Sequence, residues 1–143
     1  MAMTMHVDIV SAEREIFSGP AQMLTATAEL GEVGILPRHS QMLTRLRPGQ
    51  VTVRISDTEE QVFYVSGGFL EVQPHVVTVL ADTAERAKDL DEAAALQAKE
   101  KAEQVLVGRT GEFEYAKAAA ELAQAIAQLR AIEKLRKLKQ RIA

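Results

Sequence analysis

Along the N-terminal part of the chain apolar and polar residues alternate, and near Asp89 that period of two gives way to one of about 3.6. The most informative strand signal is Val62 to Asp82, VFYVSGGFLEVQPHVVTVLAD. Apolar, β-branched runs flank Ser66-Gly67-Gly68 and a third follows Pro74-His75, which predicts a strand, turn, strand, turn, strand meander. The Gly67-Gly68 pair suits a primed two-residue turn or a glycine bulge. Upstream, Met5, Val7 and Ile9 alternate with His6 and Asp8 in a half-buried first strand. Gly19-Pro20 predicts a break before a second alternating run, Ala21 to Ala28, in which Met23, Thr25 and Thr27 oppose Gln22, Leu24 and Ala26. The two glycines of Glu29-Leu30-Gly31-Glu32-Val33-Gly34 predict a tight exposed turn; Ile35-Leu36 re-enters the core and Pro37-Arg38-His39-Ser40 leaves it. Met42 to Leu46 reads as a short strand and Pro48-Gly49 as a turn into Val51, Val53 and Ile55, with Thr52 and Arg54 pointing outward. Asp57 to Glu60 is a polar loop. The expected architecture is an antiparallel β-sandwich or flattened barrel over roughly residues 3–84, its strand edges largely removed by closure.

After Asp82 the chain is rich in Ala, Leu, Glu, Lys and Gln and contains no Pro. Asp89-Leu90-Asp91-Glu92 fits a capping box, with Asp89 accepting from first-turn amides and Glu92 reaching back. A helix is predicted to about Val107, with Ala94, Ala98, Lys101 or Ala102, and Val105 on one side, and Gly108-Arg109-Thr110-Gly111 ends it. A second begins near Glu112, whose charge together with that of Glu114 suits a helix N-terminus. Its apolar stripe is Tyr115, Ala119, Leu122, Ile126, Leu129, Ile132, Leu135, Leu138 and Ile142. So short a connection makes the helices antiparallel. The first spans about 27 Å and the second about 45 Å at 1.5 Å per residue, so the second overhangs the first. Facing positions are mostly Ala, each burying little area at about 25 cal/mol per Å², so the hairpin is expected to be weakly held and detachable. The implied domains are a β-sandwich over 1–86 and an α-helical hairpin over 87–143.

The overhang concentrates charge: Arg130, Lys134, Arg136, Lys137, Lys139 and Arg141 stand against a lone Glu133. Three readings are open: a solvated tail that complements the helix dipole, a basic amphipathic helix that enters an acid-rimmed partner groove, or a membrane-surface helix, which the lack of Phe and Trp anchors disfavours.

The 143 residues are enough for one ordinary domain or a small core with an appendage, and 47% hydrophobic content is ample for a core. Only 4% are aromatic and none is Trp, which argues against a sugar- or base-stacking surface. The net charge of -3 disfavours non-specific nucleic-acid binding. The absence of Cys excludes disulfides and thiolate metal sites and is compatible with a reducing cytoplasm. The opening MAMTMHVDIV lacks a signal-peptide pattern, and no apolar run approaches the roughly 18 residues of a membrane span, so a soluble, unprocessed chain is expected.

His6, His39 and His75 are scattered without metal spacing, Ser66 lies outside any GxSxG pattern, and Gly31 to Gly34 has the wrong spacing for a phosphate loop with only Arg38 nearby. The residues predict no catalytic constellation, no metal and no cofactor, and so a protein that works by contact. The alternative from another class is a small hydrolytic enzyme using His39 and carboxylates.

The opening MAMTMHVDIVSAEREIFSG, the turn GEVGILPRH, the block YVSGGFLEVQP followed by VTVLAD, the segment DLDEA and the run YAKAAAELAQAIAQLR closely resemble the epsilon subunit of bacterial F-type ATP synthase, over essentially the whole chain. The resemblance implies a sandwich of about ten strands followed by an antiparallel two-helix hairpin. It implies a non-catalytic central-stalk (rotor) subunit of a proton-translocating ATP synthase, peripheral at the cytoplasmic face of the bacterial inner membrane. The sandwich would bind the gamma subunit and sit on the c-ring, touching the membrane only through that ring and no nucleic acid. The hairpin would extend along gamma into the alpha and beta subunits and block ATP hydrolysis. On this chain the c-ring contact falls on Gly31, Glu32 and Val33, with Glu32 foremost, and Arg38 and His39 lie in a segment facing gamma or the ring. Arg130, Lys134, Arg136, Lys137, Lys139 and Arg141 would meet an acidic loop of beta, in a contact that salt weakens.

Three departures from the family pattern matter. Relatives that bind ATP on the folded hairpin carry (I/L)DxxRA; here Leu90-Asp91-Glu92-Ala93-Ala94-Ala95 leaves Asp91 in place and puts Ala94 where the arginine belongs. A phosphate loses its charge-assisted partner, so nucleotide sensing is expected to be weak or absent. A nucleotide-sensing module whose hairpin folds on ATP binding is the alternative function. Arg38 stands where the family usually has Gly, and the tail after Leu135 is longer and more basic than in many relatives.

Overall fold

The computed structural model describes residues 3–108 and 111–142, the last of these without its side chain. Arg109 and Thr110 of the expected helix stop, and the Ile142 side chain at the end of the expected stripe, therefore lie outside what is described. The described chain forms nine strands, one fewer than about ten: β1 (Met5–Ser11), β2 (Glu15–Ala21), β3 (Met23–Ala28), β4 (Gly31–Ile35), β5 (Met42–Arg54), β6 (Glu60–Val65), β7 (Gly68–Val72), β8 (Val76–Ala81) and β9 (Ala84–Arg86). A 3-10 turn over Ala87–Asp89 leads to helices α1 (Glu92–Val107) and α2 (Glu112–Ile142).

The two layers of the sandwich grow from three long runs. Residues 42–54, 60–72 and 76–86 lie side by side, antiparallel, in a register that does not change from one layer to the next: Gly49↔Val65 and Leu46↔Gly68 share one ladder frame, as do Val65↔Ala84 and Gly68↔Ala81. The expected meander is thus present but is longer, and its Gly67-Gly68 feature is a corner instead of a hairpin turn. β6 and β7 do not pair with each other; β6 pairs with β5 and β9, and β7 with β5 and β8. Both glycines sit at φ 135°, and a Cβ on Gly68 would collide with the carbonyl oxygen of Leu80. The corner is stitched by Asp82 N to Gly67 O at 2.9 Å and by Ser66 N to Thr83 O at 3.0 Å. Thr83 N also donates to Ser66 Oγ at 2.9 Å.

Pro48-Gly49 is not a turn either. It lies inside β5, where Pro48 falls in the gap between the rungs to β7, which end at Leu46, and those to β6, which begin at Gly49. At a bend with no rung to donate to, the missing N–H of proline costs nothing. Gly19-Pro20 likewise does not break the chain but sits within β2, paired with Val7 and His6. β2 is the last strand of its layer, and an edge tolerates proline.

One layer holds β2, β1, β8, β7 and the first half of β5; the other holds the second half of β5 with β3, β4, β6 and β9. The pairing is not wholly antiparallel, because β1 runs parallel to β8 from His6↔Val76 to Ser11↔Ala81. The sheet is also not closed, which corrects the barrel expectation: β2, β4 and β9 each end a ladder. Two of these edges are short, at 5 residues for β4 and 3 for β9, which limits what they can template. Across one seam the Arg86 side chain donates to the Ile16 carbonyl at 2.6 Å. Between the layers Ile9, Leu24, Ile35, Phe63, Leu70, Val77 and Val79 are fully buried, and Phe17 meets Phe63 edge-on at 5.8 Å between ring centres.

The helices are antiparallel, since Arg136 near the end of α2 reaches Glu92 at the start of α1 at 2.8 Å. The N-cap of α1 is Asp91, not Asp89: its carboxylate accepts from Ala94 N at 3.1 Å. Leu90 packs against the apolar patch beneath α2 in an extended conformation, so the helix starts only after it. The third residue after the cap is then Ala94, which has nothing to reach back with, and Glu92 turns to Arg136 instead of closing a capping box. Of the expected α1 side, Ala102 is buried and Val105 half-buried, but Ala94 and Ala98 are exposed and Ala95 takes the inner place. Of the α2 stripe, Leu122 to Leu135 are half-buried and Leu138 is buried, while Tyr115 and Ala119 are exposed. The reason is that α2 has two inner faces, one toward α1 and one toward the sheet, and the closest approaches fall on Ala118, Ala125, Ala127 and Ala131.

The corner dictates the first expectation. Gly68→Ala should lower the unfolding free energy by about 3 kcal/mol, the joint cost of a Gly-only φ and a backbone collision, seen as a lower urea midpoint at unchanged slope.

Candidate functional site

The outward face of β3, β5 and β6 carries Thr25, Thr27, Gln50, Thr52, Val62 and Tyr64, and α2 lies on it. Thr52 points outward as its alternation requires, yet it is only 6% exposed because the helix covers it. The apolar part of the interface is small: Val62, Tyr64, Ala87, Ala127, Ala131 and Leu138, with Leu90 and Leu135 at its margin. Its polar part is poorly matched. Gln50 Oε1 and Thr52 Oγ1 are buried with no hydrogen-bond partner among the described residues, each a cost of about 1–3 kcal/mol. Burial beneath α2 pushes the Tyr64 phenol above its ordinary value of 10.0; the Gln128 amide beside it pulls the other way and Glu85 adds to the rise. The helix therefore rests on a surface that solvent would also satisfy.

The six basic residues of the tail do not form one face, and the helix that carries them does not hang free. Leu138, at 7% exposure, pins the last turns to the sheet, so the expected overhang is laid along β3, β5 and β6. Lys134, Lys137 and Arg141 line a cleft with Thr52 and Arg54. Arg130 lines a second cleft with Arg47 and Gln50, and Lys139 points to solvent. Arg136 is bound to Glu92, and Lys137 lies 3.4 Å from Glu133.

The loops sort the other candidates. The exposed turn is shorter than expected: Glu29 and Leu30 alone turn the chain, and Gly31 to Ile35 is already β4, with Gly31 opposite Ala28. Gly31 and Glu32 are exposed on this edge strand, whereas Val33 packs against the sandwich core. Arg38 and His39 lie beyond the other end of β4, so the structure does not bring them to Glu32. They form a tight turn in which His39 N donates to Leu36 O at 3.1 Å, Pro37 takes the first central place and Arg38 the second, at φ 68°. That is the type II pattern, whose second central residue needs positive φ. Arg38 N donates to Pro74 O at 2.9 Å, and His39 Nδ1 lies 2.7 Å from Ser40 O.

Asp91, the remaining candidate of the nucleotide motif, spends a carboxylate oxygen on its cap, and Ala94 beside it is exposed and bare. His6, Asp8 and Ser18 meet on β1 and β2, with His6 Nε2 2.9 Å from Asp8 Oδ1 and 3.1 Å from Ser18 Oγ. The Ser18 hydroxyl donates to Asp8 at 2.7 Å and, with His6, holds that carboxyl below its usual range. A hydroxyl that donates to the carboxylate is not the activated nucleophile of a relay. Among the described residues no cluster of His, Cys, Asp and Glu could hold a metal ion, and no helix is long and apolar enough to cross a membrane.

One surface was missed by sequence reasoning. On the outer face of the first layer Leu43, Phe69 and Leu80 are exposed, with Phe69 opposite both Arg45 and Leu80 and the Arg45 guanidinium 5.6 Å from its ring centre. The signal was available in the alternation, which puts large apolar residues at positions of outward parity. Exposed apolar clusters of this kind mark contacts with other proteins.

Two family models cover the chain: "ATP synthase, Delta/Epsilon chain, beta-sandwich domain" matches residues 4–87 and "ATP synthase, Delta/Epsilon chain, long alpha-helix domain" matches residues 83–133. The chain is 67% identical over 137 residues to the ATP synthase epsilon chain of Nitrosococcus oceani, covering 96% of this chain and 98% of that one. It is 65% identical over 138 residues to that of Thioalkalivibrio sulfidiphilus, with the same coverage of 96% and 98%. Among solved structures its fold is similar to a chain of the Euglena gracilis mitochondrial ATP synthase OSCP/F1/c-ring assembly, with a TM-score of 0.82 at 21% identity, covering 90% of this chain and 81% of that one. A chain of the Tetrahymena thermophila mitochondrial ATP synthase central stalk/c-ring has a TM-score of 0.60 at 16% identity, covering 92% and 98%.

Two expectations follow from the site's geometry. A folded-state pKa raised by docking means that the neutral Tyr64 phenol stabilises the docked helix fully below about pH 10 and that this contribution is lost as pH rises through the elevated value. A distance probe between α2 and the sandwich should report loosening above about pH 10, and Tyr64→Phe should remove that alkaline step. Arg38→Gly should stabilise the fold by about 0.5–1 kcal/mol in denaturant titrations, because the left-handed cost to Arg exceeds the entropy that Gly adds to the unfolded chain.

Proposed function

The chain belongs to the ATP synthase delta/epsilon family, as an epsilon chain of the bacterial type, and we propose that it is the non-catalytic rotor subunit that couples gamma to the c-ring and restrains ATP hydrolysis through its C-terminal hairpin. In this reading the chain works as two units, a sandwich over 1–86 that holds the stalk and a hairpin over 87–143 that moves. The sandwich docks on gamma through the Leu43, Phe69 and Leu80 face, which has the apolar character of a protein contact. The exposed edge at Gly31 and Glu32 meets the c-ring, while Val33 supports it from the core side. Arg38 and His39, beyond the far end of β4, make a separate contact with gamma or the ring. The subunit is then peripheral, held at the cytoplasmic face of the membrane through the ring.

The observation that carries the regulatory part is the interface under α2. It is lined by alanines, leaves two buried oxygens unpaired and gains little apolar area, so release into a longer-armed state costs little. Once released, Arg130, Lys134, Arg136, Lys137, Lys139 and Arg141 are free to meet an acidic surface of beta. Nucleotide sensing at the start of α1 is not favoured, because Asp91 is spent on its cap and Ala94 offers no cation.

The test is ATP hydrolysis by the catalytic complex reconstituted with the full chain or with a version ending at Lys88. The shortened chain should raise the hydrolysis rate several-fold while still binding gamma, and the inhibition by the full chain should fade between low and high salt. Equal rates with both chains bound would refute the brake and leave a purely structural coupling.

A further inference from the structure

We propose that the cleft between the last turns of α2 and the outer face of β3, β5 and β6 is a binding site for a small, multiply charged phosphate anion of the pyrophosphate class. The cleft has a volume of about 420 Å³ and draws four cations from two elements that are far apart in sequence, Arg54 from β5 and Lys134, Lys137 and Arg141 from α2. Among the described residues its one carboxylate is Glu60, which lies 3.2 Å from Arg54 and pairs with no other cation of the cleft. Lys134 and Arg141 have no ion-pair partner among the described residues, and Lys137 has only the exposed Glu133 at 3.4 Å. Bringing like charges together at a half-enclosed site is unfavourable until an anion joins them.

A second observation points the same way. Thr52 lines this cleft, is 6% exposed, and its Oγ1 has no hydrogen-bond partner among the described residues. A buried hydroxyl without a partner is costly, and a phosphate oxygen accepts from it. The class of anion follows from the rest of the lining. Among the described residues Met23 and Leu138 are its only large apolar lining and no aromatic ring faces it, so they offer nothing on which a base would stack. The site suits bare phosphoryl oxygens, and two linked phosphates span a cation set drawn from both walls better than one. It is separate from the degenerate motif at Asp91 and Ala94, which lies at the start of α1.

Because the anion bridges α2 and the sheet, its occupancy favours the docked hairpin by simple linkage. It also engages three of the cations that the released tail would offer to a partner. This consequence rests on the reading of the hairpin as detachable, whereas the binding itself does not.

The test is calorimetric titration of the full chain at low salt with pyrophosphate, with ATP and sulfate as parallel probes. The expected result is saturable one-to-one binding of pyrophosphate, at least tenfold weaker binding of sulfate, and ATP no tighter than pyrophosphate. Lys134→Gln with Arg141→Gln should weaken binding at least tenfold, while the equal charge loss in Lys99→Gln with Lys117→Gln leaves it unchanged. Thr52→Val should weaken binding several-fold yet raise the thermal midpoint, two opposite signs that a structural role alone would not produce. Unsaturable binding, unchanged affinity in the Lys134 and Arg141 double variant, or ATP bound tenfold more tightly than pyrophosphate would overturn the proposal. A distance probe on α2 separates the two readings: saturable binding with an unmoved probe overturns the coupling to hairpin release and leaves the site standing.

Discussion

The chain folds into two layers because residues 42–54, 60–72 and 76–86 keep one antiparallel register while turning a common corner, and the corner requires the backbone of Gly68 to lie against the carbonyl of Leu80. The side-chain period of a strand is two, so a slip of one residue in any of these runs would exchange Val51, Phe63 and Val65 for Thr52 and Tyr64 in the core. The hydrophobic cost of that exchange pins the register. The fixed register in turn decides which residues face outward on either side of the bend.

Those outward residues differ in kind. Before the bend β5, with β7 and β8, presents Leu43, Phe69 and Leu80 to solvent; after it β5, with β3 and β6, presents Thr25, Thr52 and Tyr64 to α2. One continuous meander thereby builds an uncovered apolar face and a covered polar one. The arrangement is the reverse of what burial alone would select. It makes sense if the apolar face is covered by another subunit and the polar face is one from which a helix departs, since an apolar platform would hold α2 too firmly and an exposed polar one is soluble in either state.

How much of this could be read from the chain follows from the range of the interactions involved. Alternation located β1, β3, both halves of β5, and β6 to β8, but not β2, β4 or β9, and the change of period placed both helices within a few residues, because those signals are local. Pro48, Pro20 and Gly67 misled for a shared reason: each looks like a chain break locally, but the meaning of a missing N–H or a positive φ depends on whether a neighbouring strand is present at that rung. The parallel pairing of β1 with β8 and the open edges are set by strand order, which no local pattern encodes. The same limit applies to the site. The basic run of the tail was plain, but the cover that α2 gives Thr52 and the cleft it forms with Arg54 depend on tertiary docking. The positive φ of Arg38 marks a position that suits glycine better than arginine, which the residue alone did not disclose.

The hairpin's position is best seen as a balance among three competitors for the same surface. The sheet offers α2 a few alanine-sized contacts, Leu138 and the contact around Tyr64; water offers Gln50 and Thr52 the partners they lack; on the proposed function, an acidic partner surface would compete for the tail's cations. None of these terms is large alone, and a difference of about 1.4 kcal/mol already moves a two-state population tenfold. A helix poised in this way would respond to modest inputs, because screening acts on its charges over about 10 Å and leaves its apolar contacts untouched. Tight packing between α2 and the sheet would remove that sensitivity, so the unpaired oxygens and the small side chains under the helix are coherent features of one element and not separate defects in its packing.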